Sequence, residues 1–209
     1  KVTITQADNP WSEGPALIAK ADGIVMFLNE GGRFIQDDPK RAKAFTAFAK
    51  RGGGLVVYHW GMGAKNVEHV GPFLKLFGGC HGGPDRKYTV VKEAKFQVAS
   101  PKHPVMAGIK PFELPFEEFY YKLKVPKAPK NWRALVQVPI EGNTETVGWA
   151  WERPDGGRSV GYSGLHFHVN WRHRQYQRLI AQAVLWTLKL SVPKDGFKVK
   201  LDPKALELK

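Results

Sequence analysis

The chain has 209 residues, of which 43% are hydrophobic and 24% charged, a composition that suits one domain with a packed core or at most two small ones. Lys and Arg outnumber Asp and Glu by 32 to 19, which gives a formal net charge of +13, and the single Cys80 excludes an intrachain disulfide. No run of about 18 apolar residues occurs, so we expect no membrane span.

The amino-terminal segment begins without an initiator methionine. Lys1 leads into an alternating stretch at residues 2–5 that predicts a strand. We interpret the start as processed or trimmed. A lone cysteine requires no oxidising compartment, so localisation stays open: we expect a soluble protein, with export and removal of a leader as an alternative.

The positive charge raises the question of nucleic-acid binding, because clustered Lys and Arg release counterions from phosphates. Here the basic residues are spread from Lys40 to Lys209, many of them in residues 122–133 and 194–209. They form no recognisable nucleic-acid module. We therefore expect a solvated basic surface and no specific nucleic-acid partner, and the oligomeric state stays unknown at this stage.

The first half of the chain alternates strands and helices. Residues 23–28 and 54–58 are apolar runs typical of strands buried on both faces. A helix is predicted between the N-cap Asp38 and Gly52, and another over residues 64–77, where apolar side chains recur at helical spacing. Strand, helix, strand and helix in this order predict parallel pairing, with helices covering both faces of the sheet.

The second half is mostly extended and ends in a helix. The predicted strands cover residues 88–98, 116–125, 134–140, 146–151 and 158–165. The turn at residues 153–157 predicts a hairpin between the last two of them. An amphipathic helix follows, with an inward stripe from Tyr176 to Thr187. We therefore predict one α/β domain over residues 1–190 and a basic surface tail over residues 191–209.

His59 is the first candidate site residue, because it directly follows the strand at residues 54–58. The Gly61 and Gly63 that bracket the next turn resemble a strand-to-helix elbow, which lets one side chain project into a crevice. Ligands of parallel sheets bind at such strand ends. General base, metal ligand and hydrogen-bond donor to substrate are open roles for His59, and a buried histidine bonded to a neighbouring carbonyl is the alternative.

His166 and His168 form a second candidate group. Residues two apart on an extended chain point to the same face, so both imidazoles could address one ligand. A divalent metal is therefore a candidate cofactor, held by His166 and His168 with help from His59 or Glu118. The alternative is one site histidine and one that packs at the start of the following helix.

Glu117 and Glu118 lie on opposite faces of an extended segment, so we expect only one of them in a crevice. Alternation pairs Glu118 with Tyr120, and a carboxylate beside a phenol could bind sugar hydroxyls, orient an imidazole or complete a metal site. An ordinary edge strand is the alternative.

The glycine-rich loop at residues 78–83 contains His81, a candidate ligand contact, and Cys80, which we expect to be a packed side chain rather than a nucleophile. Trp60, Trp149, Trp151 and Trp171 could stack on sugar faces, although we expect most of them to belong to the core.

Several segments taken in order resemble the ThuA-like, or trehalose-utilisation, family over about residues 21–190. They are residues 52–59, 103–105, 117–120 and 157–166, followed by the helix that contains Trp186. The resemblance implies a class I glutamine amidotransferase-like, flavodoxin-like fold, with a mainly parallel central sheet flanked by helices and an added antiparallel hairpin. It also implies a role in carbohydrate catabolism, especially in trehalose and keto-sugar pathways.

Carried onto this chain, the family's pattern falls on His59, on Glu118 with Tyr120, and on His166. His59 stands where amidotransferases have a nucleophilic cysteine, so amidotransfer should be absent. Trp60 departs from the small residue usual at its position, and His168 is additional. We also expect the family's earlier strand and helix to be missing before Lys1.

The sequence therefore predicts an enzyme that acts on a sugar or keto-sugar derivative by hydrolysis, elimination or isomerisation. The expected catalytic residues are His59, Glu118 and His166, and the expected substrate contacts are Trp60, His81, Tyr120, His168 and Trp171. A non-catalytic carbohydrate-binding or scaffold domain is the alternative. In either case the expected partner is a small carbohydrate.

Overall fold

The computed structural model of the protein describes residues 2–6, 14–127 and 129–207. Its helices are α1 (Gly14–Lys20), α2 (Gly31–Gln36), α3 (Pro39–Lys50), α4 (Val67–Phe77) and α5 (Arg174–Thr187). Its strands are β1 (Gly23–Met26), β2 (Gly54–Tyr58), β3 (Gly63–Ala64), β4 (His81–Gly82), β5 (Lys87–Val98), β6 (Phe112–Tyr121), β7 (Trp132–Ile140), β8 (Asn143–Glu152) and β9 (Arg158–Tyr162).

The described strands form a seven-stranded mixed sheet in the order β1-β2-β9-β8-β7-β5-β6, with β3 and β4 paired separately. Within the seven-stranded sheet, β1, β2 and β9 are parallel neighbours and every other pairing is antiparallel, while β3 and β4 pair in parallel outside it. The predicted α/β class and the β8–β9 hairpin are confirmed. The sheet is mixed instead of mainly parallel, so the flavodoxin-like expectation is confirmed only in part. Connections without a crossover helix join the strands from β5 to β9, and such connections favour antiparallel pairing.

Most predicted elements of the first half are present, with shifted ends. The Asp38 side chain caps α3 by accepting from the backbone N–H of Lys40, as its position before Pro39 predicts. By contrast, α4 begins three residues later than predicted, because residues 63–64 pair with β4. The strand predicted at residues 2–5 is wrong, since those residues adopt irregular structure.

Strand β6 begins four residues earlier than predicted. Pro115 lies inside it and conceals its start, since proline has no backbone N–H for a sheet ladder. The structure tolerates this residue because β6 is the terminal strand of the sheet, beside β5. With this earlier start, Glu117 and Glu118 lie just beyond the middle of the strand.

Strand β2 is buried on both faces and delivers His59 to the carboxyl edge of the sheet. Val56 and Tyr58 pack in one core with α5, while Leu55 and Val57 pack in a second core with α3 and α4. The burial of all five strand residues explains the unbroken apolar pattern at residues 54–58.

The loops that follow β1 and β2 touch through glycine backbones. A Cβ placed on Gly31 would lie only 2.0 Å from the carbonyl oxygen of Gly61. Any larger residue would push α2 away from the turn after His59, so this glycine sets the spacing between the two loops.

The carboxyl-terminal residues 191–207 contain a short 3₁₀ turn (Pro203–Leu206) and contact the domain. The backbone N–H of Phe197 donates to the side chain of the buried Gln182 in α5. The division into a domain and a tail stays a prediction. In the described part of the chain, no helix has the length and apolar character needed to cross a membrane.

Candidate functional site

Three predicted site residues meet at the carboxyl ends of β2 and β9. His59 follows β2, His166 follows β9, and Glu118 comes from β6 at the far end of the strand order. Because the Glu118 side chain nevertheless reaches His59, the sheet must curl. The three side chains form a potential metal-binding group, with their ligand atoms within 4.8 Å of one another.

The distances within this group are short. The Nε2 atom of His59 lies 3.1 Å from His166 Nδ1 and 3.8 Å from Glu118 Oε1, and the last two atoms are 3.4 Å apart. The side chains of His59 and Glu118 are 12% and 13% exposed, whereas that of His166 is 43% exposed. A ligand would therefore approach from the His166 side. We call His59, Glu118 and His166 the histidine–carboxylate cluster.

The backbone fixes which nitrogen of His59 faces the cluster. His59 has a left-handed φ of 47°, an unusual conformation for a histidine at a strand end. Its Nδ1 lies 3.1 Å from the carbonyl oxygen of Ser163, which can only accept, so Nδ1 carries the proton. Burial lowers the pKa of His59 below its ordinary value, and the neutral ring presents the Nε2 lone pair to the cluster.

The carbonyl-bonded histidine that the sequence left as an alternative is thus present, and the same residue is part of the cluster. The sequence indicated only that a histidine after a buried strand could bond to a neighbouring carbonyl. It could not identify Ser163 as the partner, since a backbone group has no residue signature.

Glu117 is a buried carboxylate whose role the sequence did not reveal. Its Oε1 accepts from the backbone N–H groups of Glu118 (2.8 Å) and His166 (3.1 Å). Its Oε2 accepts from the Tyr176 hydroxyl (2.7 Å) and the Asn170 amide (3.1 Å). With 0% exposure, Glu117 joins β6 to α5 and to the loop after β9, and so positions both Glu118 and His166. Strand alternation correctly placed it opposite Glu118.

Aromatic rings support the other side of His59. Tyr120 stacks between His59 and His81, with ring centroids 4.9 and 4.3 Å away, and Trp60 packs against Tyr120 at 5.4 Å. The Tyr120 hydroxyl lies 3.2 Å from His59 Nε2, and burial raises the pKa of Tyr120, so the phenol keeps its proton. Substrate contact by Trp60, Tyr120 and the buried His81 stays a prediction.

His168 does not join the cluster. The chain turns at Leu165, which has a φ of 80°, and His168 begins a 3₁₀ turn (His168–Arg172) instead of continuing an extended segment. Among the described residues, the group with ligand atoms close enough for one metal combines His166 with His59 and Glu118 instead of with His168. The candidate metal ligands are therefore His59, Glu118 and His166, and not the predicted pair of His166 and His168.

Phe27 and Trp171 form an aromatic pair beside the cluster. Their ring centroids lie 5.9 Å apart, and the Phe27 ring is 6.4 Å from that of His59. Phe27 is 52% exposed and was missed because it falls in an apolar run that predicts a strand. Substrate contact by Trp171 stays a prediction, and Phe27 becomes a further candidate.

Cys80 is fully buried, and burial raises the pKa of its thiol to about 12. It therefore stays protonated at neutral pH, in accord with the expected packed side chain.

His81 makes the stability of the protein sensitive to acid. Burial, with the nearby Arg86, lowers its pKa in the folded state to about 3, against an ordinary value of 6.5. Between these values the unfolded chain binds a proton at His81 that the folded chain does not, so the free energy of unfolding decreases as pH falls from 6.5 towards 3. Above pH 6.5 the contribution of the neutral ring is fully present.

We expect the urea midpoint of the wild type to fall across this pH range, and that of His81→Phe to fall less, because phenylalanine can keep the stacking on Tyr120 without binding a proton. Part of the slope should remain, since His103 also has a pKa lowered to about 4 by burial. Urea titrations at several pH values provide the measurement. Equal slopes for the two proteins would contradict the prediction.

The fold and the cluster together define an α/β protein with a histidine–carboxylate site at the carboxyl edge of its parallel strands, where ligand sites of such sheets form. The profile of the ThuA family, described as trehalose utilisation, matches residues 1–187, and the chain belongs to this family. No curated protein matches it.

Solved structures with the same fold include two putative ThuA-like proteins. One, from Bacteroides uniformis, has a TM-score of 0.64 and 17% identity, and the alignment covers 83% of this chain and 71% of the Bacteroides chain. The other, from Parabacteroides merdae, has a TM-score of 0.64 and 12% identity, covering 85% and 74%. A structure described as a cytoplasmic protein from Salmonella typhimurium has a TM-score of 0.59 and 14% identity, covering 86% and 76%.

Proposed function

We propose that the protein is an enzyme of carbohydrate catabolism that acts on a sugar or keto-sugar derivative at the histidine–carboxylate cluster. One observation carries the proposal: a neutral imidazole directs its Nε2 lone pair towards a carboxylate and a second imidazole, 3.1–3.8 Å away, at the edge where ligands bind. The family's description as trehalose utilisation supports a carbohydrate as the substrate class.

Hydrolysis, elimination and isomerisation of such sugars all require proton transfer near a polarised carbonyl or acetal. His59 Nε2 is the atom that accepts a proton. The Ser163 carbonyl at Nδ1 and the Glu118 carboxylate then stabilise the resulting imidazolium. Tyr120 keeps its hydroxyl proton and donates a hydrogen bond to a substrate oxygen, while the exposed His166 returns a proton from the solvent side.

The experiment is a survey of turnover and binding with the purified protein. The panel contains trehalose, other disaccharides and their singly oxidised keto derivatives, each incubated in D₂O and followed by NMR and mass spectrometry. Elimination and isomerisation incorporate solvent deuterium beside the carbonyl, whereas hydrolysis adds water across the glycosidic bond. Turnover of at least one keto-sugar is the expected result.

The alternative is a non-catalytic carbohydrate-binding domain. The exposed Phe27 beside Trp171 favours it, because aromatic faces stack on sugar rings without any chemistry. Calorimetry on the same panel separates the two functions. Binding of a sugar with no turnover of any panel member would contradict the proposed enzyme.

A further inference from the structure

We propose that the histidine–carboxylate cluster is a metal centre, in which His59 Nε2, His166 Nδ1 and a carboxylate oxygen of Glu118 bind one divalent ion of the zinc class. This inference rests on the proposed function in that it concerns the same site. It does not depend on the reaction that is proposed there. It replaces the sequence-based assignment of a metal to His166 and His168.

The spacing of the three atoms fits such an ion. Ligands of a tetrahedral ion bound at about 2.0–2.2 Å are separated from one another by about 3.3–3.6 Å. The observed separations of 3.1, 3.4 and 3.8 Å bracket this range. An ion can therefore be accommodated by adjustments of a few tenths of an ångström. Two imidazoles and one carboxylate are ligands suited to zinc and to its transition-metal neighbours.

The surroundings of His59 orient it as a ligand. Metal-binding histidines usually donate their second ring N–H to a carbonyl or carboxylate, which fixes the tautomer and turns the lone pair towards the ion. The Nδ1 of His59 donates to the Ser163 carbonyl in this manner.

Negative charge surrounds the same point. The carboxylate of Glu118 faces the two imidazoles, and the buried Glu117 lies immediately behind, bonded to the backbone of both Glu118 and His166. The negative charge of the two carboxylates favours a cation at this point. Glu117 also anchors the two segments that carry Glu118 and His166.

The cluster leaves one coordination position for substrate or water. His166 is 43% exposed, so this position opens towards solvent, and the Tyr120 hydroxyl stands beside it at 3.2 Å from His59 Nε2. Three protein ligands with an open fourth position are typical of catalytic rather than structural zinc sites. An ion there would polarise a sugar carbonyl and activate water, and His59 would then serve as its ligand in place of the proton acceptor described under the proposed function.

The test measures metal binding without any substrate. Untagged full-length protein is stripped with a chelator, then titrated with Zn²⁺ by calorimetry and with Co²⁺ by visible absorption. We expect one ion per chain and Co²⁺ bands of four- or five-coordinate intensity. His166→Ala and Glu118→Gln should each weaken Zn²⁺ binding by at least about 100-fold, since each removes or neutralises a ligand.

His168→Ala is the matched control, because it removes an imidazole two residues from His166 and outside the cluster. Its Zn²⁺ affinity should equal that of the wild type. Circular dichroism and thermal unfolding test whether each variant is folded. We expect His166→Ala to fold, because the side chain that it removes is exposed. Absence of stoichiometric binding by the wild type, or equal weakening by His168→Ala and His166→Ala, would overturn the metal centre.

The outcomes separate this inference from the proposed function. Stoichiometric Zn²⁺ binding with no turnover on the sugar panel supports the metal centre and contradicts the enzyme. Sugar turnover by chelator-treated protein that binds no Zn²⁺ supports the enzyme and contradicts the metal centre.

Discussion

Replacing His59 with asparagine is expected to lower kcat/KM on the sugar substrate by about 10²–10⁴-fold while the protein stays folded. Asparagine tolerates the left-handed φ of 47° at this position better than most residues. Its amide can also donate to the Ser163 carbonyl, as His59 Nδ1 does. The substitution therefore removes chiefly the Nε2 atom from the cluster.

The measurement is steady-state kinetics on the substrate that the panel identifies, with thermal unfolding of the same samples. His59→Ala is the comparison that loses both the carbonyl bond and Nε2. We expect it to be equally inactive but less stable than His59→Asn. Activity of His59→Asn within about threefold of the wild type would contradict a catalytic role, since proton transfer contributes far more than this.

A double variant tests whether the cluster acts as a unit. Glu118 faces the same point as His59. In a protein that already carries His59→Asn, adding Glu118→Gln should therefore lower kcat/KM little further. Residues that act together in one step show such strongly non-additive losses. Losses that simply multiply would show that the two side chains work independently.

Replacing Glu117 with alanine is expected to lower the free energy of unfolding by about 3–5 kcal/mol, a large part of the stability of an ordinary domain. The carboxylate accepts four hydrogen bonds in a fully buried position. Its removal leaves the Tyr176 hydroxyl, the Asn170 amide and the two backbone N–H groups without that acceptor, and it also opens a cavity.

Urea unfolding provides the measurement, with two control variants. Glu117→Gln keeps the shape and one acceptor oxygen, so its loss should be smaller, about 1–3 kcal/mol. Glu118→Gln changes the same group one residue away on the open face, and a loss below about 1 kcal/mol is expected there. A Glu117→Ala protein as stable as Glu118→Gln would show that the buried bonds contribute little.

The residues of the cluster were predictable because each follows from a local pattern. His59 ends a wholly apolar strand, and a period of two along β6 pairs Glu118 with Tyr120. Both patterns depend on residues only a few positions apart. The order of strands in the sheet depends instead on pairings between distant segments, so the antiparallel part of the sheet was predicted only at the β8–β9 hairpin.

The errors around His166 have a more specific cause. The same-face expectation for His166 and His168 assumes an extended chain, and Leu165 breaks it with a φ of 80°, a conformation that leucine rarely adopts. The sequence gives no sign of such a turn. The role of Glu117 was also hidden, since three of its four partners lie about 50 residues or more away, at His166, Asn170 and Tyr176.

The central position of β9 has a consequence for the order of events during synthesis. It is the last strand of the sheet in sequence, yet it lies between β2 and β8 and joins the parallel strands to the antiparallel ones. A nascent chain that has not yet emerged through Tyr162 holds two separate half-sheets with unpaired edges, which are vulnerable to association with other chains. The sheet can therefore close only after β9 has been synthesised, and we expect this step to be slow because the pairing of β9 with β2 joins segments about 100 residues apart.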